Sequence, residues 1–400
     1  MEIIRNIVDD IIYVGASDKR LGLFENLFPI PSGVSYNSYL INDEHTCLMD
    51  TCDVSVGKQF IENLKAALNG RSLDYLVVNH MEPDHAALIS DVLMLYPNAM
   101  LILNQMTLKF LNQAIDEKFS YIIVKENDFL DLGKHKLTFI MTPMVHWPEV
   151  MMSYDSYSKV LFSADAFGTF GALDGNIFAD ELKLDDTFYS EARRYYTNIV
   201  GKYGSNVLNV LNKAKALDIE YICALHGPIW HNNFNELLNL YALWASYKEE
   251  VKGVMICYAS MYGNTANAAY FLANELAKNG VKSIKVYDVS QTDVSYLISD
   301  TFKYSNIVLM APNYNANIYP KMEAYLMDMA HLNVSNKHFS IIENGTWAPV
   351  ISKKITDYVI ALNNTKLVGE PIKIKTSGNA ETKLKLNELA ATITKDLKND

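Results

Sequence analysis

The 400-residue chain has only four cysteines, Cys47, Cys52, Cys223 and Cys257, and no pair has C-x-x-C spacing. That absence excludes a zinc ribbon, a rubredoxin-type iron site and a thioredoxin-like redox pair. The four read as reduced, mostly buried thiols. Basic residues are also scarce, with 35 Lys and Arg against 46 Asp and Glu, a formal net charge of −11. Phosphate backbones and anionic bilayers need clustered cations, so neither nucleic acid nor membrane is an expected partner. No apolar run approaches the ~20 residues that span a bilayer. The N-terminal MEIIRNIVDDIIYVG carries early acids and no small-residue cleavage site, so it does not read as a secretory signal, and a cytoplasmic location is expected. Low-complexity tracts and short repeats are missing, which excludes solenoids and linker arrays.

What is present fits a globular protein, with half of the residues apolar and a fifth charged. The length exceeds one ordinary core, so two domains are expected. The pattern changes near residue 250, which assigns residues 1–250 and 251–400 to separate domains. In the first, short β-rich runs dominate: DIIYVG, NSYLI, DYLVVNH, AMLILN, KLTFIMT, KVLFSAD and EYICALH. Several end in His, Asp or Asn before a loop, as strands do when they deliver polar groups to one sheet edge. The stretch NELLNLYALWASYKEEVKG predicts a closing helix. Strands and helices then alternate: VMICYAS, NTANAAYFLANELAKNG with Gly280 as its stop, IKVYDVS, NIVLMAPN, KMEAYLMDMA, HFSIIEN, ISKKITDYVIALNN, IKIKT and TKLKLNELAATITKDLK. Such alternation predicts a parallel sheet with helices on both faces.

The densest chemistry is VVNHMEPDHAAL, where His80, Glu82, Asp84 and His85 fall within six residues directly after an apolar run. Side chains of this kind, crowded at a strand end, repel and stay poorly solvated unless a cation compensates them. His146 follows KLTFIMTPMV, Asp165 follows KVLFSA and His226 follows EYICAL. Each alone is an ordinary loop residue; their shared position after an apolar strand directs all seven to one edge.

This H-x-E-x-D-H pattern, with His146, Asp165 and His226 in order behind it, resembles the metallo-β-lactamase superfamily. Zinc hydrolases of that superfamily usually carry H-x-H-x-D-H. Glu82 at the second His position is a change shared with flavodiiron proteins (A-type flavoproteins), and a carboxylate there makes the site more oxygen-rich and better suited to iron. The resemblance implies an N-terminal αββα sandwich in which His80, Glu82 and His146 bind one iron, Asp84 and His226 the other, and Asp165 bridges them. His85 matches a position that ligates directly in only some members.

In VMICYASMYGNTANAAYFLANEL, the loop Ser260, Met261, Tyr262, Gly263, Asn264 and Thr265 lies between a strand and a helix. Its hydroxyls and backbone N–H groups favour an anion at the helix N-terminus. Without G-x-G-x-x-G or a Walker lysine, a dinucleotide or ATP fits poorly. Alone, the segment is equally a plain βα turn. It is similar to the flavodoxin phosphate loop, with Ser260, Tyr262, Asn264 and Thr265 at phosphate-contacting positions. APNYNANIYP, holding Pro312, Asn313, Tyr314, Asn315 and Asn317, and ENGTWAP, holding Asn344, Gly345, Thr346 and Trp347, resemble the loops that flank the isoalloxazine ring. Asn313 replaces a frequent Thr, and Asn344 departs from the commoner aromatic-Gly-x-Trp arrangement. Trp347 is the candidate to stack on the flavin. No base-recognising segment is present, so the resemblance implies FMN rather than FAD in a flavodoxin-like doubly wound sheet.

Together the two constellations imply a flavodiiron oxidoreductase with FMN and two irons. It would reduce dioxygen to water or nitric oxide to nitrous oxide. Its external donor would be rubredoxin, reduced deazaflavin or a reductase. The family's assembly implies a head-to-tail homodimer or a dimer of dimers. The rival readings are a zinc-dependent hydrolase with an accessory flavodoxin domain, and an electron carrier in which the first domain is only a scaffold. The segment FENLFPIPSGVSYNSYLI is similar to one preceding the metal domain's first strands, which makes Phe24 and Glu25 candidates to line the pocket.

Overall fold

Short apolar runs that end in polar residues build three large sheets, beside two two-stranded ones. The computed structural model describes residues 1–232, 234–347 and 350–399. The chain forms two compact units: Met1–Tyr196 with Ser205–Asn239, and Thr197–Gly204 with Leu240–Asp400. The division falls inside the helix Asn235–Ala245.

In the first unit, seven strands lie in the order Arg5–Val8, Ile11–Tyr13, Tyr39–Asn42, Thr46–Met49, Tyr75–Val77, Met100–Leu103 and Tyr121–Ile123. The last four are mutually parallel, joined by crossovers that carry helices. A second sheet orders Phe129–Asp131, Lys136–Met141, Met151–Asp155, Val160–Phe162, Tyr221–Cys223 and Trp230–His231. One core joins the two sheets: Ile11, Tyr39, Ile41, Met49, Val77 and Ile102 pack with Leu137, Phe139, Met151, Val160, Phe162 and Cys223. Helix Gly57–Leu68 buries Phe60, Leu64, Ala67 and Leu68, one stripe at helical spacing, and packs against Tyr39–Asn42. The expected sandwich is formed.

Strand direction positions the site. Met151–Asp155 runs antiparallel between Lys136–Met141 and Val160–Phe162, and Tyr221–Cys223 pairs parallel with Val160–Phe162. The three outer strands therefore point the same way. Their carboxyl ends lead to His146, Asp165 and His226 on one edge.

The second unit has the strand order Ile284–Asp288, Val251–Tyr258, Tyr304–Pro312, His338–Asn344 and Lys366–Leu367, with Ile372–Ile374 also paired to His338–Asn344. All pairings are parallel. Helices Asn264–Lys278 and Ala380–Asn399 pack together, as do Val294–Lys303, Pro320–His331 and Ile351–Ala361, so two groups flank the sheet. Strand order reverses between Val251–Tyr258 and Tyr304–Pro312, and doubly wound sheets bind ligands at the carboxyl side of that switch. Among the described residues no helix is long and apolar enough to cross a membrane.

Lys337 lies buried just before His338–Asn344, and its Nζ donates to the Phe302 carbonyl at 2.9 Å. Burial pushes its ammonium from 10.5 down to about 7, against the pull of Glu249 and Glu250. Between those values the unfolded chain holds a proton that the folded chain has lost, so this group adds stability as pH rises through the window. The denaturation midpoint of the wild type relative to Lys337→Met is expected to climb from about pH 7 to pH 9. The substitution should stabilise the protein near neutral pH, because it removes the desolvated amine. Chemical denaturation of both proteins at several pH values checks this.

Candidate functional site

The strand Tyr75–Val77 passes through Val78 and Asn79 to His80, and a short helix, Pro83–Ala86, follows. Pro83 occupies its first turn, where the missing N–H costs nothing. Buried Asp50 fixes the approach: its carboxylate accepts from Asn79 N at 2.7 Å, Asn79 Nδ2 at 2.8 Å and His80 N at 3.2 Å. Several non-glycine residues beside the site hold left-handed backbone, among them Asp50 at φ 56°, Met144 at 67° and Ala164 at 50°. Such conformations persist only where surroundings over-determine them, and they concentrate at functional sites.

The structure brings all seven candidate ligands together in two groups: His80, Glu82, His146 and Asp165, and Asp84, His85 and His226. In the first group, Glu82 Oε2 lies 3.2 Å from His80 Nε2 and 3.0 Å from His146 Nε2. In the second, Asp84 Oδ2 lies 3.2 Å from both His85 Nε2 and His226 Nε2. Asp165 faces both groups. Its Oδ2 is 3.1 Å from His80 Nε2 and from His146 Nε2, and its Oδ1 is 3.3 Å from His85 Nε2 and 3.6 Å from His226 Nε2.

The residues fit metal ions. The Nε2 atoms of His85 and His226 face each other at 3.0 Å, and Asp84 Oδ1 and Oδ2 and Asp165 Oδ1 are buried without a well-aligned hydrogen-bond partner. Donors about 3 Å apart are what a shared cation produces when each sits ~2.1 Å from it. The oxygen-rich set suits a hard cation such as iron. Its charge has the same meaning. Burial works to raise the carboxylates, yet His80 and His85 hold Asp165 well below the usual range, and His146 and His80 hold Glu82 at about 2. Burial works to lower the imidazoles, yet Asp84 and Asp165 hold His85 at about 10, and Asp165 and Glu82 hold His146 at about 9. The carboxylates favour positive charge at this cluster, which a metal cation can supply in place of protons.

Residues beyond the seven shape the site. His226 Nδ1 donates to the Ser35 carbonyl at 2.7 Å, and His80 Nδ1 to Glu149 Oε1 at 2.7 Å. With Nδ1–H turned outward in both, each Nε2 is left to face the cluster. Phe24, Tyr36 and Tyr195 ring His226 with centroids 5.2, 5.7 and 5.6 Å away, and Trp147 lies edge-on to His80 at 5.3 Å. Glu25 lies on the exposed rim near Glu82, and partial desolvation together with the Glu82 charge pushes its carboxyl up. Sequence reasoning missed Asp50, Ser35, Glu149 and Trp147. The last two flank His146 within PMVHWPE, the only hint available. A cavity of about 800 Å³ beside Met1, Arg20 and Lys58 shares no lining residue with the cluster.

In the second unit, a cleft at the carboxyl ends of the sheet is lined by Ser260, Met261, Tyr262, Asn264, Thr265, Pro312, Asn313, Asn344, Gly345, Thr346, Trp347 and Thr376. Gly263 starts the helix Asn264–Lys278 at φ 85°, a backbone that favours glycine, and its N–H donates to Ser260 Oγ at 3.1 Å. Asn344 Nδ2 donates to Thr265 Oγ1 at 3.3 Å and to the Thr376 carbonyl at 3.0 Å, and Asn313 Nδ2 to the Trp347 carbonyl at 2.8 Å. These bonds hold the three loops to one another. Tyr262 and Trp347 are 90% and 63% exposed at this cleft, as rings that stack on a planar ligand are before it binds. Tyr314, Asn315 and Asn317 form a tight turn just past it, in which Asn315 and Ala316 both have positive φ and the Asn317 side chain accepts from Lys354 at 2.8 Å. Ala348 and Pro349, which end the expected ring-flanking loop, lie outside the described residues. Thr376 was not anticipated.

Residues 34–227 match the family described as ODP family beta lactamase. The chain is 30% identical to the anaerobic nitric oxide reductase flavorubredoxin of Klebsiella pneumoniae over 85% of this chain and 71% of that one. It superposes on the rubredoxin oxygen:oxidoreductase of Desulfovibrio gigas with TM-score 0.93 and 26% identity, covering 99% of both chains. On the flavodiiron protein of Giardia intestinalis the TM-score is 0.94 at 24% identity, covering 99% of this chain and 97% of that one.

Gly227 follows His226 at φ 75°, and a Cβ there would meet Thr169 Oγ1 at 2.5 Å and Thr169 N at 3.0 Å. Gly227→Ala is expected to displace His226 and lower the metal bound per chain. Flavin content, which depends on the other unit, should stay at the wild-type level. Metal and flavin analysis of the purified variant reads both.

Proposed function

Because the chain belongs to the flavodiiron protein family, we propose that it is an oxidoreductase that reduces dioxygen to water, nitric oxide to nitrous oxide, or both. Electrons would reach it from an external donor through FMN. The observation that carries this reading is Glu82: a carboxylate among the imidazoles of a buried two-part cluster, in a chain whose second unit has the doubly wound order of FMN-binding folds.

In this reading His80, Glu82 and His146 hold one iron, and Asp84, His85 and His226 the other. The two-sided position of Asp165 suits a bridge. When bound, the iron pair supplies electron transfer and binding of a diatomic gas, and FMN exchanges electrons singly or in pairs. Buried Phe24 and Tyr36 wall the His226 side against bulk water. Dryness strengthens every electrostatic interaction inside the cluster. Ser260, Asn264 and Thr265 would hold the FMN phosphate, and Trp347 would stack on the ring.

Likeness to the rubredoxin oxygen:oxidoreductase of Desulfovibrio gigas favours rubredoxin as donor over reduced deazaflavin or another reductase. A head-to-tail homodimer, or a dimer of such dimers, would bring the FMN of one chain to the irons of its partner. A cytoplasmic location suits such a partner. The flavorubredoxin and oxygen:oxidoreductase relatives above give no support to the zinc-hydrolase alternative.

The protein, reduced anaerobically with dithionite and mixed with dioxygen or nitric oxide in a stopped-flow instrument, is expected to reoxidise rapidly with at least one gas. Asp165→Ala should cut turnover by more than about 100-fold, beyond what loss of an outer hydrogen-bond partner costs. A preparation that holds flavin but only stoichiometric zinc, and consumes neither gas, overturns the reading.

A further inference from the structure

The two halves of the cluster have the same kinds of inner groups but different support. Behind His80 stands a carboxylate. Glu149 is 1% exposed, and its Oε1 accepts from His80 Nδ1 at 2.7 Å and from Met81 N at 2.9 Å. The backbone of Glu149 is held in turn, since Asn104 Nδ2 donates to its carbonyl at 2.6 Å. Asn104 also caps the helix Gln105–Ala114. Behind His226 stands only a neutral peptide carbonyl, that of Ser35, at 2.7 Å. The buried Nδ1 of His85 has no hydrogen-bond partner among the described residues.

A carboxylate that accepts from the far nitrogen of an imidazole fixes the ring and its tautomer. It also makes the near nitrogen a stronger donor to a metal, and a full negative charge does this more than a peptide carbonyl. We propose that Glu149 is a positioning residue that makes the two metal positions unequal, so that the one formed by His80, Glu82 and His146 binds its cation first and more tightly than the one formed by Asp84, His85 and His226. The proposal rests on the metal-binding reading above and deepens it, because it assigns the order of loading and names the residue responsible.

The test is a titration of full-length, FMN-loaded protein stripped of metal, with cobalt(II) alone under argon. Visible d–d bands report the coordination of each equivalent. The wild type should fill in two resolved steps. Glu149→Gln keeps the shape and removes the charge, and is expected to weaken the first step by about 10- to 100-fold while the other stays unchanged. Circular dichroism and flavin content of the stripped variant should match the wild type. If Glu149→Gln does not fold, Glu149→Asp, which keeps the charge and withdraws it from Nδ1, should give the same selective loss. Equal weakening of both steps, no weakening of either, or two indistinguishable steps in the wild type overturns the proposal. A wild type that binds no cobalt at all overturns the metal-binding reading instead, so the two failures are distinct.

Discussion

Two buried carboxylates, a third that is partly buried, and four buried imidazoles crowd together, and this crowding constrains everything around it. Burying one unpaired charge costs several kcal/mol, and close like charges add to that. Asp165, Asp84 and Glu82 push His80, His85 and His146 upward and so favour positive charge on them. Metal cations can supply that charge instead, and a site of this kind links metal affinity to pH and to folding. The neighbouring groups serve the same end. Asp50 aligns the strand end that carries His80, and Ser35 and Glu149 turn two imidazoles so that their inner nitrogens converge.

Both units place their chemistry by the same rule of sheet geometry. Strands that run in one direction bring their carboxyl ends to one edge, and the loops that follow can converge there. In the first unit this gathers His80, His146, Asp165 and His226 from four strands. In the second it gathers Ser260, Asn313 and Asn344 from three, and side-chain amides tie the loops together. The first unit supplies a buried, highly charged pocket. The second supplies an exposed, nearly neutral cleft edged by Tyr262 and Trp347. Those are the different environments that a metal pair and a planar flavin need.

Much of this was legible in the sequence because a strand followed by a chemistry-bearing residue is a local signal. DYLVVNH, KVLFSAD and EYICALH each contain a strand and the residue it delivers. Helices with long apolar stripes, such as Asn264–Lys278, were equally plain. What escaped has no local pattern. The paired strands Leu23–Phe24 and Phe28–Pro29 are two residues each, too short for any periodicity, and exist through the turn between them. Lys366–Leu367 is exposed and polar at one end, and is a strand only because His338–Asn344 offers it a partner. Glu149, Ser35 and Asp50 act through groups 69, 191 and 30 positions away. Only the folded arrangement shows what they touch.

The parallel pairing of Tyr221–Cys223 with Val160–Phe162 is the last step in bringing His226 to the edge. During synthesis, His80, Glu82, Asp84 and His85 leave the ribosome long before that pairing can form. Four crowded donors without their distant partners make a poor, open trap. A metal held by all seven residues would be captured stably only once nearly the whole first unit has emerged and closed. Such a topology would delay the choice of metal until the carboxylate-rich geometry that selects it exists, and would spare a nascent chain from filling with whichever ion arrives first.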